Sequence, residues 1–315
     1  MLVLSFRDLA APNGGAVTPA AVLELPAAAA AAFDWNDPAS LRERLRGGSA
    51  TWMGWDRVQA ALSGRPLCFL LHGFNVGRDK GYAGLGAWAK ALLPEAGGGL
   101  AIPVLWPGDW MLPGVNYPFE LADVRATAAR FSEFLAGPAA GAAGLSFVTH
   151  SMGARVALET LARPVRRAPV EALLLTAAAV DEGALDEPRF APAVESARRI
   201  VVVSSIKDSV LRDAFPLGDR VEAALWRGEH AASRALGAFG PRLRPGSMVA
   251  AKLRWFPIDA ADDYGHDDYV PAPWKRDQRP EGFTPRRARM AGFLRAALAS
   301  PAFARDWPRE HRPGQ

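Results

Sequence analysis

The chain has a single cysteine, Cys68, so it cannot close an internal disulfide. A reducing compartment fits that usage. No cluster of cysteine and histidine carries zinc spacing, and neither a metal nor an organic cofactor is expected. Long apolar runs are also missing. The six consecutive alanines at 27–32 are too few to span a bilayer. The first ten residues hold Arg7 and Asp8 where a secretory signal needs an apolar stretch. A cytoplasmic protein with no transmembrane segment is the expectation. Charge of one sign is scarce too: the net charge is +4, and basic residues are scattered, as at Arg163, Arg166 and Arg167. Without a basic stripe or face, nucleic-acid binding is not expected.

What the chain has is enough apolar material for one sizeable core, with 315 residues of which 50% are hydrophobic. Disordered, collagen-like and coiled-coil compositions are excluded. Apolar runs at 66–72, 100–106, 145–149, 170–177, 200–205 and 249–256 read as strands, and 2–6 and 21–25 add weaker ones. The middle runs are nearly continuous in Leu, Val and Ile, the pattern of strands buried on both faces. Helical patterns lie between and after them. Val124, Ala128, Phe131 and Leu135 form one stripe within 119–135, a second segment covers 152–163, and a third starts at Thr284 and Pro285, a good N-cap followed by proline at N1. This alternation predicts an α/β protein with a mainly parallel sheet of about eight strands and helices on both faces. Residues 1–60 are expected as an extension on the sheet edge, 61–300 as the main domain, and 301–315 as a polar tail. Residues 209–247 separate two strands by more than an ordinary loop. They are read as a helical insertion and a candidate partial lid before the last strand.

The chemistry concentrates in three places. In Leu145-Ser-Phe-Val-Thr149-His150-Ser151-Met152-Gly153 an apolar strand runs into a serine and a helix starts at once. A serine on that sharp turn exposes its Oγ above the sheet, and the N–H of Met152 faces a developing oxyanion. Ser-x-Gly alone arises by chance in a chain of this composition, so the strand–turn–helix context carries the reading. Thr149 stands where the G-x-S-x-G pattern has its first glycine. In Phe69-Leu-Leu-His72-Gly73-Phe74-Asn75 a strand ends in a loop able to supply the second oxyanion donor, from the N–H of Phe74 or, as an alternative, of Asn75. His72 reads as a structural histidine.

A serine needs a base. Of the five histidines, His266 alone follows both the serine and a strand and lies in a loop, at Asp262-Asp-Tyr-Gly-His266. His150 adjoins Ser151 but, by strand alternation, points the other way. The orienting acid is Asp208, at the end of Ile200-Val-Val-Val-Ser-Ser-Ile-Lys-Asp208, with Asp181 as the alternative. The loop containing Trp106, Trp110 and Met111 offers apolar bulk for an acyl chain, with core packing as the alternative reading for Trp106.

With these residues placed, the chain resembles the alpha/beta hydrolases of unknown function labelled DUF900. The resemblance runs over about 66–298 and rests on His72-Gly-Phe-Asn75, Trp106-Pro107 with Tyr117, Thr149-His-Ser-Met-Gly153, Lys207-Asp208-Ser-Val-Leu211 and Gly265-His266. It implies the α/β-hydrolase fold and a Ser-His-Asp triad, and says little about substrate. The function expected is hydrolysis of a small-molecule carboxylic ester or lipid-like substrate, in the manner of an esterase or lipase. Amide hydrolysis or acyl transfer by the same triad, and a non-catalytic binding protein on the same fold, are the alternatives.

Overall fold

The structure, a computed structural model, describes residues 1–7, 16–24, 51–92, 99–108, 117–216, 234–272 and 284–300. The uninterrupted apolar runs become the centre of a nine-stranded sheet, where both strand faces need cover from water. In chain order the strands are β1 (Leu2–Arg7), β2 (Val17–Glu24), β3 (Thr51–Trp52), β4 (Pro66–Leu71), β5 (Leu100–Leu105), β6 (Gly144–His150), β7 (Val170–Thr176), β8 (Ile200–Ser204) and β9 (Leu253–Pro257). Their order across the sheet is β3-β2-β1-β5-β4-β6-β7-β8-β9. Every pairing across the sheet from β1 to β9 is parallel, whereas β2 runs antiparallel to β1 and β3 antiparallel to β2.

The helices are α1 (Trp55–Leu62), α2 (Arg78–Leu92), α3 (Tyr117–Ala136), α4 (Gly153–Leu161), α5 (Ala191–Ser196), α6 (Leu236–Phe239) and α7 (Pro285–Ala299). The chain moves one way across the sheet from β4 through α2 to β5, then reverses past β4 to β6 through α3. Right-handed crossovers in opposite directions put α2 and α3 on opposite faces. The packing agrees: α7 lies against α2, while α4 lies against α3 and α5. A mainly parallel sheet with this switch in strand order and helices on both faces is the α/β-hydrolase fold.

On the α3 face the core is aromatic. Phe69 of β4 meets Phe131 edge-on at 5.0 Å and Phe147 of β6 at 5.4 Å, and Phe131 reaches Phe6 of β1 at 5.3 Å. Val124, Ala128, Phe131 and Leu135, the stripe legible in the sequence, are all fully buried. Such packed aromatic pairs add about 0.5–1.5 kcal/mol each beyond area burial. They fix β1, β4 and β6 against a single helix.

The last strand differs from its expected range. Residues Met248–Ala251 form a 3-10 turn capped by the Ser247 hydroxyl, which accepts from Val249 N–H, and pairing starts only at Leu253. Sheet register decides which loops meet. Leu71 pairs with Thr149 and His150 with Thr176, so the ends of β4, β6 and β7 lie level at one edge. Ser204 pairs with Pro257, which brings the loops after β8 and β9 together at that edge. In the 209–247 insertion, Val210–Ala214 is a short π-helix and Leu236–Phe239 forms α6; its middle, 217–233, lies outside the described residues. So does the tail at 301–315.

Candidate active site

Ser151 stands between β6 and α4 with φ of 54°, a left-handed conformation that costs a non-glycine residue energy. Surrounding hydrogen bonds hold it there. Its N–H donates to Thr176 O at 3.1 Å, and its carbonyl accepts from Ala154 and Ala179, each at 3.1 Å. Close packing around the turn explains the flanking residues. A Cβ on Gly153 would lie 2.6 Å from His72 O and 2.8 Å from Leu71 O, so α4 can sit this near β4 only without a side chain. Thr149, where a glycine is usual, is fully buried and points toward β7, with its hydroxyl donating to Leu174 O at 3.1 Å. The position tolerates a side chain because that hydroxyl is paired.

Ser151 Oγ lies 3.0 Å from His266 Nε2, and His266 Nδ1 lies 2.8 Å from Asp208 Oδ2. Asp208 is completely buried, and its second oxygen accepts from Leu211 N–H at 3.0 Å. With the carboxylate accepting, the Nδ1 hydrogen belongs on His266 and Nε2 is left free to accept from the serine hydroxyl. Asp181 sits elsewhere. Its carboxylate accepts from Gly183 N–H at 2.5 Å, just ahead of the 3-10 turn Ala184–Asp186, and no hydrogen bond or ion pair joins it to His266.

The loop after β4 is built around His72. That ring is buried, and burial pushes its pKa down to about 3. It is therefore neutral, with Nδ1–H donating to Gly73 O at 2.8 Å and Nε2 accepting from Trp106 N–H at 3.3 Å. Trp106 returns a bond from its indole N–H to His72 O at 3.0 Å and stacks on the imidazole at 5.4 Å. Trp106 has no exposed surface. It clamps this loop from the core. Trp110 and Met111 lie outside the described residues. Asn75 has φ of 58°, and its N–H is committed to Gly108 O at 2.5 Å. Among the described residues the N–H groups of Phe74 and Met152 make no hydrogen bond.

His150 is the member that strand alternation misplaces. Alternation holds inside β6, but the chain leaves the strand conformation at Ser151, and the His150 ring ends 4.8 Å from that of His266. Burial, and next the neighbouring His266, push its pKa down to about 4. Ser205 is a second residue the sequence did not single out. Its hydroxyl donates to Tyr264 O at 2.8 Å, tying the end of β8 to the loop that carries His266. Among the described residues no group of His, Cys, Asp and Glu is arranged to hold a metal ion, and no helix is long and apolar enough to cross a membrane.

No family model matches the chain, so the DUF900-type resemblance stands on the quoted residues alone. No curated protein matches either. Solved structures do. A dienelactone hydrolase-like promiscuous phosphotriesterase from metagenomic libraries is 12% identical, with 75% of this chain and 87% of that chain covered, at a TM-score of 0.40. Esterase B from Lactobacillus rhamnosis, inhibited, is 14% identical over 75% of this chain and 77% of its own, at a TM-score of 0.37. The hyperthermophilic esterase of the archaeon Pyrobaculum calidifontis is 12% identical over 76% and 79%, at 0.36.

Proposed function

We propose that the protein is a serine hydrolase of carboxylic esters, with Ser151 as nucleophile, His266 as general base and Asp208 as the acid that orients it. The observation that carries this reading is the unbroken line from Ser151 Oγ to His266 Nε2 to Asp208 Oδ2, with steps of 3.0 and 2.8 Å. Ser151 Oγ attacks the ester carbonyl and its proton passes to His266 Nε2. The negative oxygen of the tetrahedral intermediate is held by the N–H groups of Phe74 and Met152, both without a partner among the described residues, whereas that of Asn75 is taken by Gly108. The imidazolium donates its proton to the leaving alcohol, and an acyl group remains on Ser151. Water then loses a proton to His266 and attacks the acyl carbonyl. The acid leaves, and Oγ regains its hydrogen. The Asp208 carboxylate accepts from Nδ1–H throughout and stabilises the positive ring.

The test is a series of p-nitrophenyl esters of increasing acyl length, on wild-type protein and Ser151→Ala. Turnover is expected with apolar acyl groups ahead of charged ones, and the variant should fold normally and lose at least about 10³-fold in kcat. A fluorophosphonate should add one adduct to wild type, located at Ser151, and none to the variant. Normal turnover by a folded Ser151→Ala protein overturns the reading.

A further inference from the structure

Two hydrogen bonds, running side by side, join the end of β6 to the loop that carries His266. One is the Ser151–His266 side-chain contact. In the other, His150 Nε2–H donates to the main-chain carbonyl of His266 at 2.8 Å. The two imidazoles lie 4.8 Å apart, and the ring of Tyr269 lies 6.2 Å from that of His150. His150 is 5% exposed, so water competes little for this bond.

The loop needs such a support. Beyond Ile258, whose N–H donates to Ser204 O, it has left the sheet. His266 opens a 3-10 turn of only four residues, too short to fix an imidazole on its own. Asp208 and Ser205 hold the loop from the β8 side, and Arg287 of α7 holds Asp267 O from behind. None of these ties the backbone of His266 to the strand that leads into Ser151; His150 does.

We propose that His150 is a positioning residue, which holds the main-chain carbonyl of His266 and so sets the distance of its ring from Ser151 Oγ. The proposal rests on the reading of Ser151, His266 and Asp208 as a triad. The nucleophile and its base then share one anchor: the residue before the serine grips the backbone of the histidine. The donor must sit at Nε2, the far end of the ring. Glutamine places an amide N–H at similar reach, asparagine stops short of it, and phenylalanine keeps the ring but offers no donor.

The experiment compares full-length wild type, His150→Gln and His150→Phe by steady-state ester kinetics and by proton NMR of the downfield Nδ1–H of His266. A misplacement of about 1 Å can cost about 10²-fold in rate, so His150→Phe is expected to lose about 10- to 100-fold in kcat with KM changed less than about twofold. Its downfield resonance should broaden or move. His150→Gln should restore both kcat and the resonance to near wild type. Wild-type kcat with an unmoved resonance in His150→Phe overturns the proposal, as does a folded His150→Gln that is impaired as much. Should His150→Phe not fold, His150→Asn replaces it, with the same expected losses and the same overturning result. If wild type turns over no ester and takes up no fluorophosphonate, the triad reading fails, while the NMR comparison still decides what His150 does for His266.

Discussion

Gly73 faces Ser151 so closely that a Cβ built on it would lie 2.8 Å from the Ser151 Cβ, 3.0 Å from His150 Nδ1 and 3.3 Å from Ser151 Oγ. The loop after β4 therefore touches the proposed nucleophile through bare backbone. Gly73→Ala should push Phe74 N–H away from Ser151 and cut ester turnover by about 10²-fold or more, in line with loss of one oxyanion donor. Urea unfolding should report a smaller effect, about 1–3 kcal/mol from overpacking. Wild-type turnover in this variant would remove the loop from the site.

Gly153→Ala tests the opposite balance. Its new methyl would meet two backbone carbonyl oxygens, those of Leu71 and His72, which cannot swing aside as a side chain tip does. A loss of roughly 1–3 kcal/mol is expected, with turnover of the surviving folded fraction reduced less than in Gly73→Ala. Chemical denaturation alongside active-site titration separates the two effects.

Asp208 and Asp181 should respond differently to the same change. Asp208→Asn keeps the shape, removes the charge and can hold His266 in the wrong tautomer, so kcat should fall by about 10³–10⁴-fold. Asp181→Asn should leave kcat within about twofold and cost only part of its local hydrogen bond from Gly183 N–H, about 1 kcal/mol. The reverse ranking would assign the acid to Asp181.

Acid should weaken the fold through its two buried histidines. His72 and His150 are held neutral, at about 3 and about 4, against 6.5 for an unperturbed ring. Between 6.5 and those values the unfolded chain binds protons that the folded one does not. Their contribution to stability is thus full above about pH 6.5, and it is lost as pH falls through about 4 for His150 and about 3 for His72. Near pH 5 unfolding should take up about two protons from this pair, a slope of about 2.7 kcal/mol per pH unit. Urea midpoints taken across pH 5–7 measure it, and His150→Gln should lower the uptake by about one proton.

Some of this was legible in the residues themselves, and the reasons are physical. Strands β4, β6, β7 and β8 are buried on both faces, which forces nearly continuous apolar runs. Helix α7 carries its boundary chemically: Thr284 accepts from Arg287 N–H, with proline next. Asp208 and His266 follow from strand order, since β8 and β9 pair in parallel and deliver both loops to one edge. Helix α2 escaped because Gly81, Gly84 and Gly86 look like breakers. In fact a Cβ on Gly81 would lie 3.0 Å from Leu105 of β5, so this glycine allows the helix to approach the sheet. The contact of His150 with His266 escaped because alternation applies only as far as the strand does, and β6 gives way at once to the left-handed Ser151. The hydroxyl of Ser205 and the clamp of Trp106 on His72 depend on atoms 59 and 34 residues apart, which no local pattern encodes.

Separation along the chain gives the site a further use. The hydrogen bonds among Ser151, Asp208 and His266 span 115 and 58 residues, and they form only when β6, β8 and β9 are already in register. Contacts closed over such distances come late during folding. Reactivity toward a fluorophosphonate is therefore expected to lag behind the recovery of helical circular dichroism when the protein is refolded from urea. The proposed nucleophile then acts as a clock for completion of the sheet: a chain that has its helices but has not docked β9 would look folded by spectroscopy and remain unlabelled.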